Sequence, residues 1–171
     1  SDDPVVRYAT LVHDVGKGIT DKAKWPSHFD HEQLGLPLLL DINKRLHVPN
    51  QYSRLAALVC EHHTKQHRIL ELRPATLLKL IEALDGFRRP ERVQKFLLAC
   101  EADARGRTGL EQRDYPQSAY LKTVLNELSQ LDVGSLLKEA KPENPQEFVS
   151  QSRLKLLGDI VARLNPSAST N

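Results

Sequence analysis

Apolar residues recur at intervals of three and four through most of this chain, and no stretch sustains the two-residue alternation that a sheet requires. That pattern confines the chain to helices packed on helices, so the expected class is all-α. Prolines and glycines mark the ends. Pro4 suits the first turn of an opening helix, where its missing N–H costs nothing. The stripe Val5, Tyr8, Val12, Val15 predicts that helix as far as Val15, closed by Gly16-Lys17-Gly18. Thr20 to Asp30 reads as a loop with at most a short helical turn. A second helix is expected from about His31 to Leu46, with Pro37 forcing a kink or an altered start. Further helices are expected over Gln51 to Leu70, Pro74 to Leu84, Pro90 to Asp103, Leu121 to Leu131 and Pro145 to Leu164. One short helix fits between Val133 and Pro145, and the tail from Pro166 should fray.

The chain has 171 residues, enough for one compact domain with a small appended subdomain, and its 40% hydrophobic content supplies a core. No apolar run approaches bilayer-crossing length, and no basic-then-apolar leader opens it. Methionine is absent even at position 1, and the polar Ser1-Asp2-Asp3 runs straight into a helix pattern. The expectation is a piece of a longer chain, with natural N-terminal processing as the alternative. Cys60 and Cys100 sit inside helix patterns without partners at metal-ligand spacing, so both read as reduced core residues and the expected compartment is cytoplasmic. A formal charge of +2 is too small to argue for nucleic acid. Arg88, Arg89, Arg92 and Lys95 cluster, and Arg105, Arg107 and Arg113 follow. Acidic residues are interspersed, however, so a solvated surface explains them as well as an RNA-facing patch.

His13 and Asp14 are adjacent at the end of an apolar helix, among Leu11, Val12 and Val15. An imidazole nitrogen with a carboxylate oxygen suits a divalent ion such as Mn²⁺, Ni²⁺, Fe²⁺ or Mg²⁺. A helix-end histidine with a capping aspartate is the plainer reading. Asp103 falls three residues after Cys100 and seven after Phe96, on a core-facing stripe where a carboxylate is costly unless paired, capped or metal-bound. Either a salt bridge to Arg105 or Arg107, or a cation shared with the doublet, meets that need. On the third helix His63 lies four residues from both Val59 and His67, a row able to bind metal, hold phosphate or act as an acid. His62 points elsewhere and reads as surface. His28 and His31, the latter followed by Glu32, lead into the second helix. Lys17 either reaches a phosphate near Asp14 or sits solvated at a helix end. Gly16-Lys17-Gly18 lacks P-loop spacing, and neither His-Glu-x-x-His nor a serine nucleophile elbow is present.

Taken together, these residues resemble the HD superfamily of metal-dependent phosphohydrolases, and more closely the C-terminal domain of bacterial CCA-adding enzymes, the tRNA nucleotidyltransferases. The resemblance is carried by Leu11-Val12-His13-Asp14-Val15-Gly16-Lys17-Gly18, Trp25-Pro26, His28-x-x-His31-Glu32 and Val48-Pro49-Asn50. It continues through Glu61-x-His63 with His67, Glu101-Ala102-Asp103-x-Arg105-Gly106-Arg107-Thr108-Gly109 and Asp114-Tyr115-Pro116-Gln117. It implies an HD-domain helical bundle over residues 1–117, N-terminally truncated, and a C-terminal helical extension over 118–171. His13, Asp14 and Asp103 match the family's metal ligands. The family pattern places His31, His63 and His28 beside them. With the residue chemistry above, His63, His31 and Lys17 are the expected catalytic residues, and His28, His67, Arg105 and Arg107 the expected substrate contacts.

The same resemblance implies a divalent cofactor, Ni²⁺ or Mg²⁺ with Mn²⁺ as a further choice. The implied reactions are 2′,3′-cyclic phosphodiester, 2′-nucleotide and phosphomonoester hydrolysis within tRNA processing and repair. The implied partners are a tRNA 3′ end or small cyclic and 2′-phosphorylated nucleotides, an N-terminal nucleotidyltransferase part, and a second copy of the chain as a homodimer. The alternative is a helical tRNA-binding or dimerisation module with little activity alone. Two departures stand out. The nucleotidyltransferase head is missing from this sequence. No histidine precedes His13, so either an earlier helix supplies a first ligand or another histidine substitutes.

Overall fold

The computed structural model describes residues 1–164, and within them the chain forms eight α-helices joined by loops and 3-10 turns, with no strand. The all-α expectation holds. The helices are α1 (Pro4–Val12), α2 (His31–Arg45), α3 (Asn50–His67), α4 (Pro74–Ala83), α5 (Pro90–Arg105), α6 (Pro116–Leu128), α7 (Val133–Ala140) and α8 (Pro145–Leu164). Prolines open α1, α4, α5, α6 and α8, where their fixed φ is pre-set for a first turn. The helix expected at Leu121 therefore starts earlier, at Pro116. Helix α2 runs through Pro37 without a break. The tail beyond Pro166 lies outside the described residues.

Two compact units are interleaved along the chain: Ser1–His67 with Arg89–Tyr115, and Arg68–Arg88 with Pro116–Asn171. The last crossing falls between Tyr115 and Pro116, and residues 68–88 pack with the later helices. In the second unit, α4 and α6 both pack on α8, burying Leu77, Leu80, Ile81, Leu121, Val124 and Leu157. The Arg153 guanidinium lies 3.9 Å from the centre of the Phe87 ring and adds a cation–π contact. No helix among the described residues is long and apolar enough to cross a membrane. Cys60 and Cys100 are free and buried.

In the first unit, α1, α3 and α5 pack against one another and α2 packs on α3. Asp3 caps α1 by accepting the Val5 amide at 2.8 Å, satisfying one orphan donor of the first turn. The inward face of α1 is Val5, Val6 and Ala9, and continuing it by four residues reaches His13. The stripe read through Val12 and Val15 was therefore rotated, and Leu11 is 81% exposed. The helix also stops at Val12 rather than Val15, and a 3-10 segment covers Val15–Ile19.

Close backbone approach explains that early stop. A Cβ on Gly16 would sit 1.9 Å from the His31 carbonyl oxygen and 2.7 Å from the Gly35 nitrogen. Gly35 in turn meets Gly16 and the Cys60 sulfur. Two glycines facing each other let the turn after His13-Asp14 rest directly on the first turns of α2, which carry His31. Tyr8 reinforces the same junction by hydrogen-bonding Asn43, whose amide donates to Ser53 at 2.9 Å. Gly16→Ala should cost about 3 kcal/mol, the upper part of the usual overpacking range. Denaturant melting would measure it, and a loss below about 1 kcal/mol would show that the two backbones can part cheaply.

Candidate metal centre

Three helices of the first unit bring their C-terminal ends to one place. His13 follows the last turn of α1, His63 and His67 lie in the last turns of α3, and Asp103 in the last turn of α5. The negative ends of three helix dipoles thus face the same spot, an arrangement that favours a cation. Asp14, in the turn after α1, and His31, opening α2, complete the group.

Distances within it are short. His13 Nε2 lies 3.2 Å from Asp14 Oδ2 and 3.4 Å from Asp103 Oδ1. Asp14 Oδ1 lies 3.1 Å from His31 Nε2 and 3.6 Å from His63 Nε2. His31 and His63 face each other Nε2 to Nε2 at 3.2 Å. Lys17 hydrogen-bonds Asp14 Oδ2. Ligand atoms of His13, Asp14 and His63 all fall within 4.8 Å of one another.

Backbone carbonyls set how the imidazoles present themselves. Nδ1 of His13 bonds the Thr10 carbonyl at 2.7 Å, Nδ1 of His31 the His28 carbonyl at 3.0 Å, and Nδ1 of His63 the Val59 carbonyl at 2.9 Å. A carbonyl only accepts, so each Nδ1 carries a proton and each ring turns its Nε2 inward, where it offers a lone pair whenever that nitrogen is unprotonated. Anchored imidazoles of this kind are the usual supports of metal ligands. His13 Nε2 and Asp14 Oδ1 are moreover buried without a hydrogen-bond partner. Their neighbours stand at ion-pair distance. Unsatisfied buried polar atoms are rare, and a cation between them would satisfy both. The residues fit a divalent ion.

Without that ion the cluster balances its own charge. Burial disfavours the His13 imidazolium, but the carboxylates of Asp103 and Asp14 outweigh burial and push it up to about 10. Burial likewise opposes the Asp14 charge, yet His13 and Lys17 hold that carboxyl well below its usual range. His13 and His67 do the same for Asp103 against its burial. His63 goes the other way: burial, then the neighbouring His13 charge, lowers it to about 4.

A family model described as "HD domain" matches residues 1–100. This chain belongs to the HD domain family. The adjacent His13-Asp14 pair that sets this HD domain's centre lies inside the match, and Asp103 lies just past its end. Among curated proteins, the multifunctional CCA protein of Teredinibacter turnerae is 52% identical over 82% of this chain and 34% of its own length. That of Ectopseudomonas mendocina is 49% identical over 97% of this chain and 41% of its length. That of Pseudomonas aeruginosa strain PAO1 is 48% identical over 89% and 37%. The chain thus spans well under half the length of these relatives. No solved structure matches it significantly.

Of the residues singled out from sequence, His13, Asp14, Asp103, His31, His63, His67 and Lys17 come together in this HD domain. Asp103 takes neither arginine as its partner; it meets His13 and His67 instead. Arg105 is held by Glu101 at 2.6 Å and the Arg113 carbonyl at 2.9 Å, and Arg107 is exposed. The His28 ring faces Thr20 and Trp25 rather than the cluster. His62 was read as surface but is only 6% exposed. It packs beside Lys65 and Glu61, because α3 is covered on two sides. Sequence reading missed Tyr115, whose hydroxyl lies 3.0 Å from His67 Nδ1. The only signal for it was its place in the Asp-Tyr-Pro-Gln run.

Proposed function

We propose that this HD domain is a divalent-metal-dependent phosphohydrolase that opens 2′,3′-cyclic phosphates and removes 2′-phosphates from nucleotides. It would work as part of a cytoplasmic CCA-adding protein acting on tRNA 3′ ends, alongside a nucleotidyltransferase part and as a homodimer. The observation carrying this reading is the pair of buried, partnerless atoms, His13 Nε2 and Asp14 Oδ1, among inward lone pairs. His13, Asp14 and His63 hold the ion, with Asp103 as a further carboxylate. Ni²⁺ or Mg²⁺, with Mn²⁺ as a third choice, suits this mixed nitrogen and oxygen set.

A bound divalent ion supplies Lewis-acid polarisation of the phosphoryl oxygen and a more acidic water. The chain's own groups do the rest. Lys17, paired with Asp14, offsets charge gathering on the phosphate. His31, protonated on Nε2, gives that hydrogen to the departing ribose oxygen as its bond to phosphorus breaks and the water oxygen bonds to phosphorus. The vacated Nε2 takes up the proton the water loses. His63 is less suited to that acid role, because its lowered pKa leaves it without a proton to give at neutral pH. With Arg105 engaged by Glu101, Arg107 is the loop cation for a substrate phosphate. Hydrolysis of 2′,3′-cyclic AMP with Ni²⁺ or Mg²⁺ tests the reading; it should require the metal and vanish in Asp14→Ala. Release of pyrophosphate or tripolyphosphate from a nucleoside triphosphate instead would replace it with a triphosphohydrolase reading.

A specific feature also favours RNA contact. At the N-terminal ends of α3 and α5 a cleft of about 400 Å³ is lined by Arg54, Arg89, Arg92 and Lys95, with Asn50, Gln51 and one acid, Glu91. Positive helix ends and the three arginines suit a phosphodiester backbone, while Lys95 is paired with Asp3 at 2.8 Å. Arg54→Ala with Arg89→Ala should lower the slope of log affinity against log salt for single-stranded RNA by about 1.4. An unchanged slope would remove the cleft from the RNA surface.

A further inference from the structure

Four imidazoles surround the centre, and one is held the opposite way from the rest. His13, His31 and His63 each give Nδ1–H to a backbone carbonyl. His67 instead meets Asp103 Oδ2 through Nε2 at 2.8 Å and the Tyr115 hydroxyl through Nδ1 at 3.0 Å. Tyr115 also hydrogen-bonds the fully buried Gln66. We propose that Tyr115 and Gln66 are positioning residues of the metal centre, locking His67 as a proton donor to Asp103 so that the aspartate keeps Oδ1 turned toward His13. This rests on the metal-centre reading above.

The direction of the chain follows from what each group can do. An ionised carboxylate only accepts, and Asp103 Oδ2 lies 2.8 Å from His67 Nε2. His67 Nε2 must therefore carry the hydrogen. With the hydrogen on Nε2 alone, Nδ1 is an acceptor, and the Tyr115 hydroxyl lies 3.0 Å from it. Burial keeps the Tyr115 phenol protonated. The Gln66 amide donates to the phenol oxygen, leaving the hydroxyl hydrogen to point at Nδ1. Polarity thus runs one way, from Gln66 through Tyr115 and His67 to Asp103. Its end result is geometric. Oδ2 is tied to His67, and Oδ1 remains 3.4 Å from His13 Nε2. His67 consequently offers no lone pair to an ion, although it lies four residues from His63 on the same helix. A backbone carbonyl selects one tautomer at residue 63, and a phenol selects the other at residue 67.

Tyr115→Phe removes the donor while keeping the ring. In the metal-free protein, ring ¹⁵N shifts should move His67 away from the Nε2–H tautomer. Calorimetric titration with Mn²⁺ should weaken by 10- to 100-fold, the usual cost of losing an outer support. His67→Gln supplies an amide donor that needs no phenol, so adding Tyr115→Phe to it should cost nothing further. An equal loss in both backgrounds would make Tyr115 merely structural and overturn the proposal, as would unchanged affinity. If the unsubstituted protein takes up no Mn²⁺, the metal reading fails. The ¹⁵N shifts then still decide the tautomer lock, an unmoved His67 ending it.

Discussion

Asp14→Ala should lower metal-dependent turnover of 2′,3′-cyclic AMP on the order of a thousandfold, while the helical content stays intact. Asp14 touches His13, His31, His63 and Lys17. In the proposed centre its loss would remove a negative ligand and the partner that holds Lys17. An ion stabilising transition-state charge supplies several kcal/mol, and about 1.4 kcal/mol is worth a factor of ten. Folding should suffer less, because Asp14 lies beyond the end of α1 and the inward residues Val5, Val6 and Ala9 do not depend on it. Steady-state assays with circular dichroism as a control would test both halves. Turnover within threefold of the original protein would end the proposed chemistry.

The second large effect concerns pH. In the metal-free centre the His13 imidazolium persists up to about 10, whereas a ligand must offer a lone pair. Binding an ion at pH 7 therefore expels close to one proton, and affinity should rise about a hundredfold from pH 6.5 to 8.5. His63, lowered to about 4, is already neutral there and adds no proton. Calorimetry in buffers of different ionisation enthalpy would count the proton directly, and flat affinity across that window would refute the assignment. The same shifts set stability without metal. The raised His13 pKa contributes stability that is complete below its ordinary 6.5 and disappears as pH climbs toward 10. The lowered Asp14 and Asp103 pKa values contribute stability present above the ordinary 3.8 and lost on acidification. These are one shared interaction seen from both sides, not separate gains.

Helix class was legible from sequence because apolar spacing along a single helix is a local property. Asp103 was legible for the same reason, since a carboxylate returning to the Val93, Phe96, Cys100 stripe has to be compensated by something. What compensates it was not. His13 and His67 come from other helices, and no spacing rule distinguishes them from Arg105 or Arg107. His62 was misassigned because one helix face was assumed to be buried, while α3 packs against α1, α2 and α5. The apolar run at Leu11 and Val12 misled for the opposite reason: a hydrophobic side chain does not have to be covered.

By itself, then, the sequence determined the all-helical class, the helix starts at Pro4, Pro74, Pro90 and Pro145, and a short roster of histidines and aspartates suited to a cation. Tertiary structure alone decided that Gly16 and Gly35 touch, that residues 68–88 leave the first unit, and which proton each imidazole carries. The physical reason is range. Helix propensity and amphipathic spacing act over a few residues, but a tautomer or a close backbone contact depends on atoms supplied by distant parts of the chain.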